Sequence, residues 1–341
     1  MVFYLWYIIK KYRMQAFVIF VASIGFPKIS LHKVEPIDKN ISQSIRHPKF
    51  RFGDVYTAED VNFWNFAHSV EDGDHTVYSL SIESPQAKVL TIKFDEFHLS
   101  DTSKLYIKKN DGTQMYAFTS KNNLYSDKYE TPFIFASSVI LELHALKTLP
   151  ITDKIHIKSI VHGFTNPLHI HGPGDSCLTD VACEVGDPWK LQTKSVQYIT
   201  IGEYICSATL IRSVDATSAL LLTAGHCEPD NTTTMYKQYK RQECGVDKNL
   251  YGELFEYAQG FENLVDVYDP NDPNLDKDVA LLRYTGSLDE AFFDDVMFAG
   301  WDNKRYTSVI NQAVYPEVGL SHPAGQPMKI SYGIYNFVSY A

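Results

Sequence analysis

The chain has 341 residues, of which 45% are hydrophobic, 13% aromatic and 21% charged, and its formal net charge is −10. This length predicts two domains with tails, and the aromatic-rich composition is typical of a globular, β-rich protein rather than a disordered one. Because phosphate binding requires clustered lysine and arginine, the negative charge argues against a nucleic-acid partner.

Residues 1–25 are predicted to be a signal peptide. A basic cluster at residues 10–13 precedes an apolar run at residues 16–26, which is the order found in secretory signals. A second apolar stretch at residues 2–9 leaves an uncleaved membrane anchor or a start at Met14 as alternatives. We expect a secreted protein, with membrane contact only through an uncleaved N-terminal segment.

Residues 46–166, which follow a linker at residues 26–45, are predicted to form a β-sandwich. Along several short segments apolar residues alternate with polar ones, as in half-buried strands. The alternating apolar positions are Leu90, Ile92, Phe94, Leu105, Ile107, Val139, Leu141, Leu143, Ile155 and Ile157. Nothing in this segment indicates catalysis.

Residues 167–176 are predicted to be a linker between the two domains, because prolines and glycines there interrupt regular structure. His162, His169 and His171 cluster at this boundary, and imidazole is a common metal ligand. No carboxylate or cysteine stands beside them at ligand spacing. A solvated linker or a processing site is therefore favoured over a metal site.

All five cysteines lie in the second half of the chain, at residues 177, 183, 206, 227 and 244. No CxxC pair or zinc-site spacing is present, which indicates disulfides formed in an oxidising compartment. An odd number leaves one thiol without a partner. Two Asn-x-Ser/Thr sequons, at Asn40 and Asn231, fit a secreted chain.

An apolar run at residues 219–222 is predicted to be a buried strand, and it leads directly into His226. Cys206 lies 21 positions upstream of Cys227, so a bridge between them would close a hairpin-sized loop around His226. A single His beside a Cys is usually structural. Rigid positioning of this kind nevertheless suits a general base.

Asp278 opens a second predicted apolar strand, residues 279–282. A carboxylate there can accept a hydrogen bond from His226 Nδ1, which selects the tautomer whose Nε2 takes a proton from a nucleophile. An isolated Asp before a strand is often only a cap. The two motifs, in this order, support each other.

Through TAGHC at residues 223–227 and DVALL at residues 278–282, the sequence resembles the trypsin and chymotrypsin clan of serine peptidases. Secreted lysyl endopeptidases and their bacterial trypsin-like relatives resemble it more closely, at residues 176–183, 205–210, 298–302 and 320–331. The predicted sandwich is similar to the pro-region upstream in such proteins, notably at residues 118–123 and 161–163.

This resemblance implies an all-β chain, with the N-terminal β-sandwich followed by a trypsin-like double β-barrel domain at residues 177–341. His226 would be the general base and Asp278 its orienter, acting on protein or peptide substrates without a cofactor or metal. The family pattern also implies the disulfides Cys206–Cys227 and Cys183–Cys244. Cys177 stays unpaired, because its partner in the family lies beyond the nucleophile.

The clan's nucleophile sits in a Gly-x-Ser-Gly turn, which also forms the oxyanion hole, and no such turn follows His226. Ser308, Ser321 and Ser331 are interpreted as structural. We therefore expect a C-terminally truncated chain, with the nucleophile and the specificity pocket absent and the second barrel incomplete.

Four aspartates, Asp266, Asp269, Asp272 and Asp276, precede the Asp278 motif and suggest calcium, since hard cations prefer several carboxylates. The segment lacks the ligand order and turn glycine of a calcium loop. A solvated loop is therefore favoured.

Three hypotheses of function remain. The first is a monomeric, secreted serine endopeptidase represented by a chain that is inactive as written. The second is a secreted pseudopeptidase that acts as a binding protein. The third, carbohydrate or protein binding by the sandwich alone, rests only on fold analogy.

Overall fold

The computed structural model describes residues 17–20, 28–32, 50–167, 178–214, 218–246, 256–269, 277–288, 290–300 and 315–335. The chain divides into two compact units. Residues 1–46 and 52–166 form the first, which we call the sandwich unit, and residues 47–51 and 167–341 form the second, the barrel unit.

Strands dominate both units, which confirms the predicted all-β fold class. The first twelve are β1 (Phe17–Phe20), β2 (Lys28–His32), β3 (Phe50–Arg51), β4 (Gly53–Asn62), β5 (His68–Asp72), β6 (His75–Glu83), β7 (Val89–His98), β8 (Lys104–Lys108), β9 (Gln114–Phe118), β10 (Tyr129–Glu130), β11 (Ser138–Leu146) and β12 (Lys154–Gly163). The other ten are β13 (Thr179–Asp180), β14 (Val196–Ile201), β15 (Tyr204–Arg212), β16 (Ala219–Thr223), β17 (Thr234–Tyr236), β18 (Tyr257–Ala258), β19 (Phe261–Tyr268), β20 (Asp278–Tyr284), β21 (Tyr315–Ser321) and β22 (Lys329–Tyr335).

Helical structure is confined to short turns among the described residues. The α-helix α1 comprises Phe63–Phe66, and its N-cap Asn62 accepts a hydrogen bond from the Trp64 N–H. The 3-10 turns are Ser120–Asn122, Glu184–Trp189, Gln192–Ser195, Gly225–Cys227, Ala291–Phe293 and Pro323–Gly325. None of the helices in this part of the chain is long and apolar enough to cross a membrane.

The sandwich unit consists of two sheets over one core. A seven-stranded sheet has the order β1-β2-β6-β11-β8-β9, with β5 also paired to β6, and a four-stranded sheet has the order β10-β7-β12-β4. On β11 the predicted apolar positions Val139, Leu141 and Leu143 are all buried, and they share a core with residues of β7 and β12 from the other sheet. The period-2 pattern therefore identified the inward face correctly.

The position of His162 contradicts the prediction of a solvated histidine cluster at the domain boundary. It lies in β12, is only 3% exposed, and its Nδ1 is 2.6 Å from Ser84 Oγ. The strand continues to Gly163, so this histidine is a buried residue of the predicted sandwich and not part of a solvated cluster. His169 and His171 lie outside the described residues.

The barrel unit contains an eight-stranded sheet and a smaller one among its described residues. The order of the eight-stranded sheet is β18-β17-β14-β15-β16-β20-β19, with β3 added beside β15. The strands at the two ends of this order, β18 and β19, are separated in the chain by only Gln259 and Gly260. Gly260 has φ +93°, a left-handed conformation that glycine adopts without steric cost and that suits a sharp corner. The chain therefore passes directly from one end strand of the sheet to the other, and no hydrogen-bonded pairing between β18 and β19 is present among the described residues.

The smaller sheet has the order β13-β22-β21 and joins a strand before β14 to two strands after β20. Val181, Val196, Met328 and Ile330 form its buried apolar cluster. At the other end of the chain, β1 falls within the predicted signal peptide and pairs with β2. The rest of that predicted segment lies outside the described residues.

Candidate active site

His226 lies in the 3-10 turn Gly225–Cys227, directly after the buried strand β16. Because β16 pairs with β20 and sets Thr223 opposite Ala280, the turn lies beside the start of β20, where Asp278 is located. A Cβ at Gly225 would be 2.8 Å from the Val267 carbonyl oxygen of β19. Only glycine permits this close approach of the turn to β19.

Two hydrogen bonds join His226 to Asp278. The His226 backbone N–H donates to Asp278 Oδ1 at 2.7 Å, and Asp278 Oδ2 is 2.8 Å from His226 Nδ1. The carboxylate therefore fixes both the turn and the orientation of the imidazole ring. Both groups are half-buried, with 20% of the His226 side chain and 16% of the Asp278 side chain exposed.

This geometry determines the chemistry available to the imidazole. With Asp278 ionised, the proton of neutral His226 resides on Nδ1, which leaves Nε2 as the basic nitrogen. Proton uptake at Nε2 gives an imidazolium beside a carboxylate in a partly water-excluded site, where their attraction is stronger than in bulk water. Tyr268 lies on β19, opposite Asp278 of β20, and the centroid of its ring is 6.3 Å from that of the His226 ring.

A disulfide fixes the exit of the turn. Cys227 is bonded to Cys206 of β15, with Cα atoms 6.4 Å apart, and both residues are buried in the barrel core. In the described part of the chain, Cys206, His226 and Cys227 also form the one group of three side chains with metal-ligating atoms close together. The disulfide removes both thiolates, so this group offers a metal only the imidazole.

The second predicted disulfide, Cys183–Cys244, is also present. It lies next to a buried ionic cluster centred on Asp180, which is 5% exposed. Arg241 Nη1 donates to both Asp180 oxygens at 2.8 and 2.9 Å, Lys329 Nζ donates at 2.7 Å, and the Gly245 N–H donates at 3.0 Å. Burial alone would raise the pKa of Asp180, but hydrogen bonds from Lys329, Gly245 and Arg241 outweigh it and lower the pKa.

The remaining predicted residues are distributed as follows. Ser321 ends β21, and Ser331 lies across the same hairpin with its Oγ 3.5 Å from the Gly319 carbonyl oxygen. The prediction of a solvated loop is wrong for Asp266, which lies within β19 opposite Ala280. Its side chain is nevertheless exposed. Cys177, Ser308, Asp272 and Asp276 lie outside the described residues.

A curved sheet that carries a His turn after one strand, an Asp at the start of the next strand in the sheet, and a disulfide behind the turn is consistent with the barrel fold of a trypsin-like peptidase. Residues 171–340 match the family described as lysyl endopeptidase, C-terminal domain. This match supports a lysyl endopeptidase-like, trypsin-like peptidase family for the barrel unit. No curated protein matches the chain.

Proposed function

We propose that the barrel unit supplies the general base and its orienting carboxylate to a secreted serine endopeptidase. The observation that carries this proposal is the double hydrogen bond from His226 to Asp278. A carboxylate that only capped a strand has no need to bind both the backbone and the ring of one histidine. The match to the lysyl endopeptidase domain supports the same reaction class.

In the proposed reaction, the Oγ of a serine attacks the carbonyl carbon of the scissile peptide bond while its proton moves to His226 Nε2. Asp278 stabilises the imidazolium formed in this step. The imidazolium then gives its proton to the leaving amine, and an acyl-enzyme remains. Water, deprotonated by His226, then attacks the ester carbonyl; the bond to the serine Oγ breaks, and the imidazolium returns its proton to that oxygen.

The nucleophile is the part of this triad that the sequence does not provide. None of the serines after His226 lies in a Gly-x-Ser-Gly turn. We therefore expect no hydrolysis of peptide substrates by these 341 residues. The substrates we propose are proteins or peptides, cleaved by a monomeric enzyme.

Secretion is part of the proposal. Two disulfides in the barrel unit are compatible with an oxidising compartment. The predicted signal peptide provides the route. N-terminal sequencing of the exported protein tests this step, and a mature chain that retains residues 1–25 would contradict it.

The alternative is a secreted pseudopeptidase, in which the barrel unit serves binding. The missing Gly-x-Ser-Gly turn favours this alternative, whereas the geometry of His226 and Asp278 does not. Sequencing the transcript beyond the Ala341 codon distinguishes the two. A downstream Gly-x-Ser-Gly and one further cysteine, which would pair with Cys177, support the endopeptidase, whereas a stop codon supports the pseudopeptidase.

The activity prediction has a direct assay. The purified 341-residue chain is incubated with casein and with lysyl and arginyl peptide amides, and we expect no turnover above buffer. Hydrolysis that disappears in His226→Ala would show that a serine within these residues acts as the nucleophile.

A further inference from the structure

His322 occupies an unusual position in the barrel unit. It follows β21, is 3% exposed, and its ring is held between Tyr198 of β14 and Tyr239, which follows β17. The centroid of the His322 ring lies 5.3 Å from that of Tyr198, in an edge-on arrangement, and 5.7 Å from that of Tyr239, in a stacked arrangement. The imidazole is thus packed among aromatic rings.

The hydrogen bonding of this ring suits only its neutral form. Nδ1 is 3.1 Å from the Gln326 carbonyl oxygen, an acceptor, so Nδ1 carries the proton. Nε2 is fully buried and has no hydrogen-bond partner among the described atoms. A second proton on Nε2 would create a buried donor and a positive charge that no acceptor or carboxylate in the described part of the chain satisfies.

The pKa of His322 agrees with this geometry. Burial lowers the pKa of His322 to about 4, against a smaller opposing effect of the Gln326 carbonyl. Among the described residues, the titratable groups that contact the ring are the phenols of Tyr198 and Tyr239. Burial raises the pKa of Tyr198 far above its ordinary value, so it stays neutral. His322 is therefore uncharged at neutral pH.

A short chain of contacts connects His322 to the turn that holds His226. The His322 backbone N–H donates to Ser207 Oγ at 2.8 Å. The carbonyl oxygen of Ser207 accepts a hydrogen bond from Thr223 Oγ1 at 2.8 Å, and Thr223 is the last residue of β16 before the turn. Ser207 also follows Cys206, which is bonded to Cys227 at the end of the turn.

We propose that His322 is a positioning residue for His226, which supports the His226 turn through Ser207 while neutral and releases it when protonated in acid. The role of His226 as a base rests on the proposed function. The coupling itself does not, because it is a property of the fold that is measurable without peptidase activity. Acid would therefore increase local opening of the turn that holds His226 before the barrel unit unfolds.

Peptide-level hydrogen–deuterium exchange of the 341-residue chain at pH 7, 5.5 and 4, corrected for intrinsic exchange rates, tests the proposal. If His322 titrates at its ordinary value in the open state, the opening equilibrium of residues 322–330 and 219–228 rises together by about 100-fold between pH 7 and pH 4. Residues 138–146 of the sandwich serve as the internal reference and should show no such rise.

His322→Phe keeps an aromatic ring between the two tyrosines but cannot be protonated. We expect it to abolish the acid-dependent rise in both peptides. The same substitution at His98, a half-exposed residue of the sandwich unit, is the matched control and should leave the rise intact. An unchanged rise in His322→Phe would overturn the proposal.

Ser207→Ala tests the coupling separately and removes only a hydroxyl, so it is expected to fold. Residues 322–330 should still open in acid, while residues 219–228 should respond less than about 3-fold. If residues 219–228 still follow residues 322–330 in this variant, the link through Ser207 is overturned. Neither result depends on hydrolysis, so failure of the proposed function would appear separately, in the activity assay.

Discussion

In the sandwich unit, the core consists of aliphatic and aromatic side chains from two sheets, and its buried polar groups include hydroxyls bonded to one ionisable side chain each, as in Ser103 with Asp153 and Ser84 with His162. In the barrel unit, by contrast, the buried Asp180 binds two cations, Arg241 and Lys329, and the half-buried His226 binds Asp278. The first unit relies on apolar packing, whereas the second adds a buried ionic cluster and the ionisable pair of the candidate site.

The largest expected effect comes from breaking the buried ionic cluster. Asp180→Ala leaves Arg241 and Lys329 buried without their carboxylate, which should cost about 3–5 kcal/mol of unfolding free energy in the barrel unit. Urea titration followed by peptide-level exchange measures this loss for each unit. The matched control is Glu262→Ala, which removes an exposed ion pair with Arg283 and should cost less than about 1 kcal/mol. Equal losses of unfolding free energy in the two variants would contradict the claim that the barrel unit depends on its buried ionic cluster.

A comparable but apolar loss is expected in the sandwich unit. Leu141 is fully buried, and Leu141→Ala should cost about 2–5 kcal/mol through lost burial and a residual cavity. The same titration should show the loss in the peptides of the sandwich unit. Because Leu141 contributes to the sandwich core alone, destabilisation of residues 219–228 by the same amount would show that the two units unfold as one.

Removal of the disulfide behind the His226 turn should cost about 3 kcal/mol. The bond joins residues 21 apart in sequence, and closure of a loop of that size restricts the unfolded chain by about this free energy. The double variant Cys206→Ala/Cys227→Ala, compared with the original chain by urea titration, measures the loss. No loss of stability would mean that β15, β16 and β20 hold the turn without the bond.

Acid should destabilise the barrel unit in two steps. The folded-state pKa of His322, about 4, lies below its ordinary value of 6.5, so the unfolded chain takes up the proton first. Stability is therefore full above pH 6.5 and falls by about 3 kcal/mol as the pH reaches 4. The pKa of Asp180 is also lowered, so its contribution is present above its ordinary value of 3.8 and lost as the pH falls further. Urea titrations at pH 7, 5 and 4 check the first step, and a flat profile in that range would contradict it.

Local sequence patterns predicted the parts of the molecule that depend on neighbouring residues. Alternation identified Val139, Leu141 and Leu143 as an inward face, since strand residues two apart share a side of the sheet. The apolar run before His226 similarly predicted the strand that leads into its turn.

Contacts between distant residues were not visible in the same way. Asp180 and Lys329 are 149 positions apart, and neither lies in a pattern that indicates an ionic partner. His162 was grouped with His169 and His171 in a solvated cluster beside the linker, because nearby prolines and glycines suggested irregular structure, whereas pairing with β4 and β7 extends its strand to Gly163. Sheet pairing overrode the local composition.

The central claim is that Asp278 holds His226 as the tautomer with the proton on Nδ1 and the basic lone pair on Nε2. Nitrogen-15 NMR of histidine-labelled protein at neutral pH measures this directly, with the His226 signal assigned by its loss in His226→Ala. We predict a protonated Nδ1 in the original chain and in the exposed control Asp266→Asn, and a shift towards the Nε2-protonated tautomer in Asp278→Asn. A proton on Nε2 in the original chain, or no change in Asp278→Asn, would contradict the account.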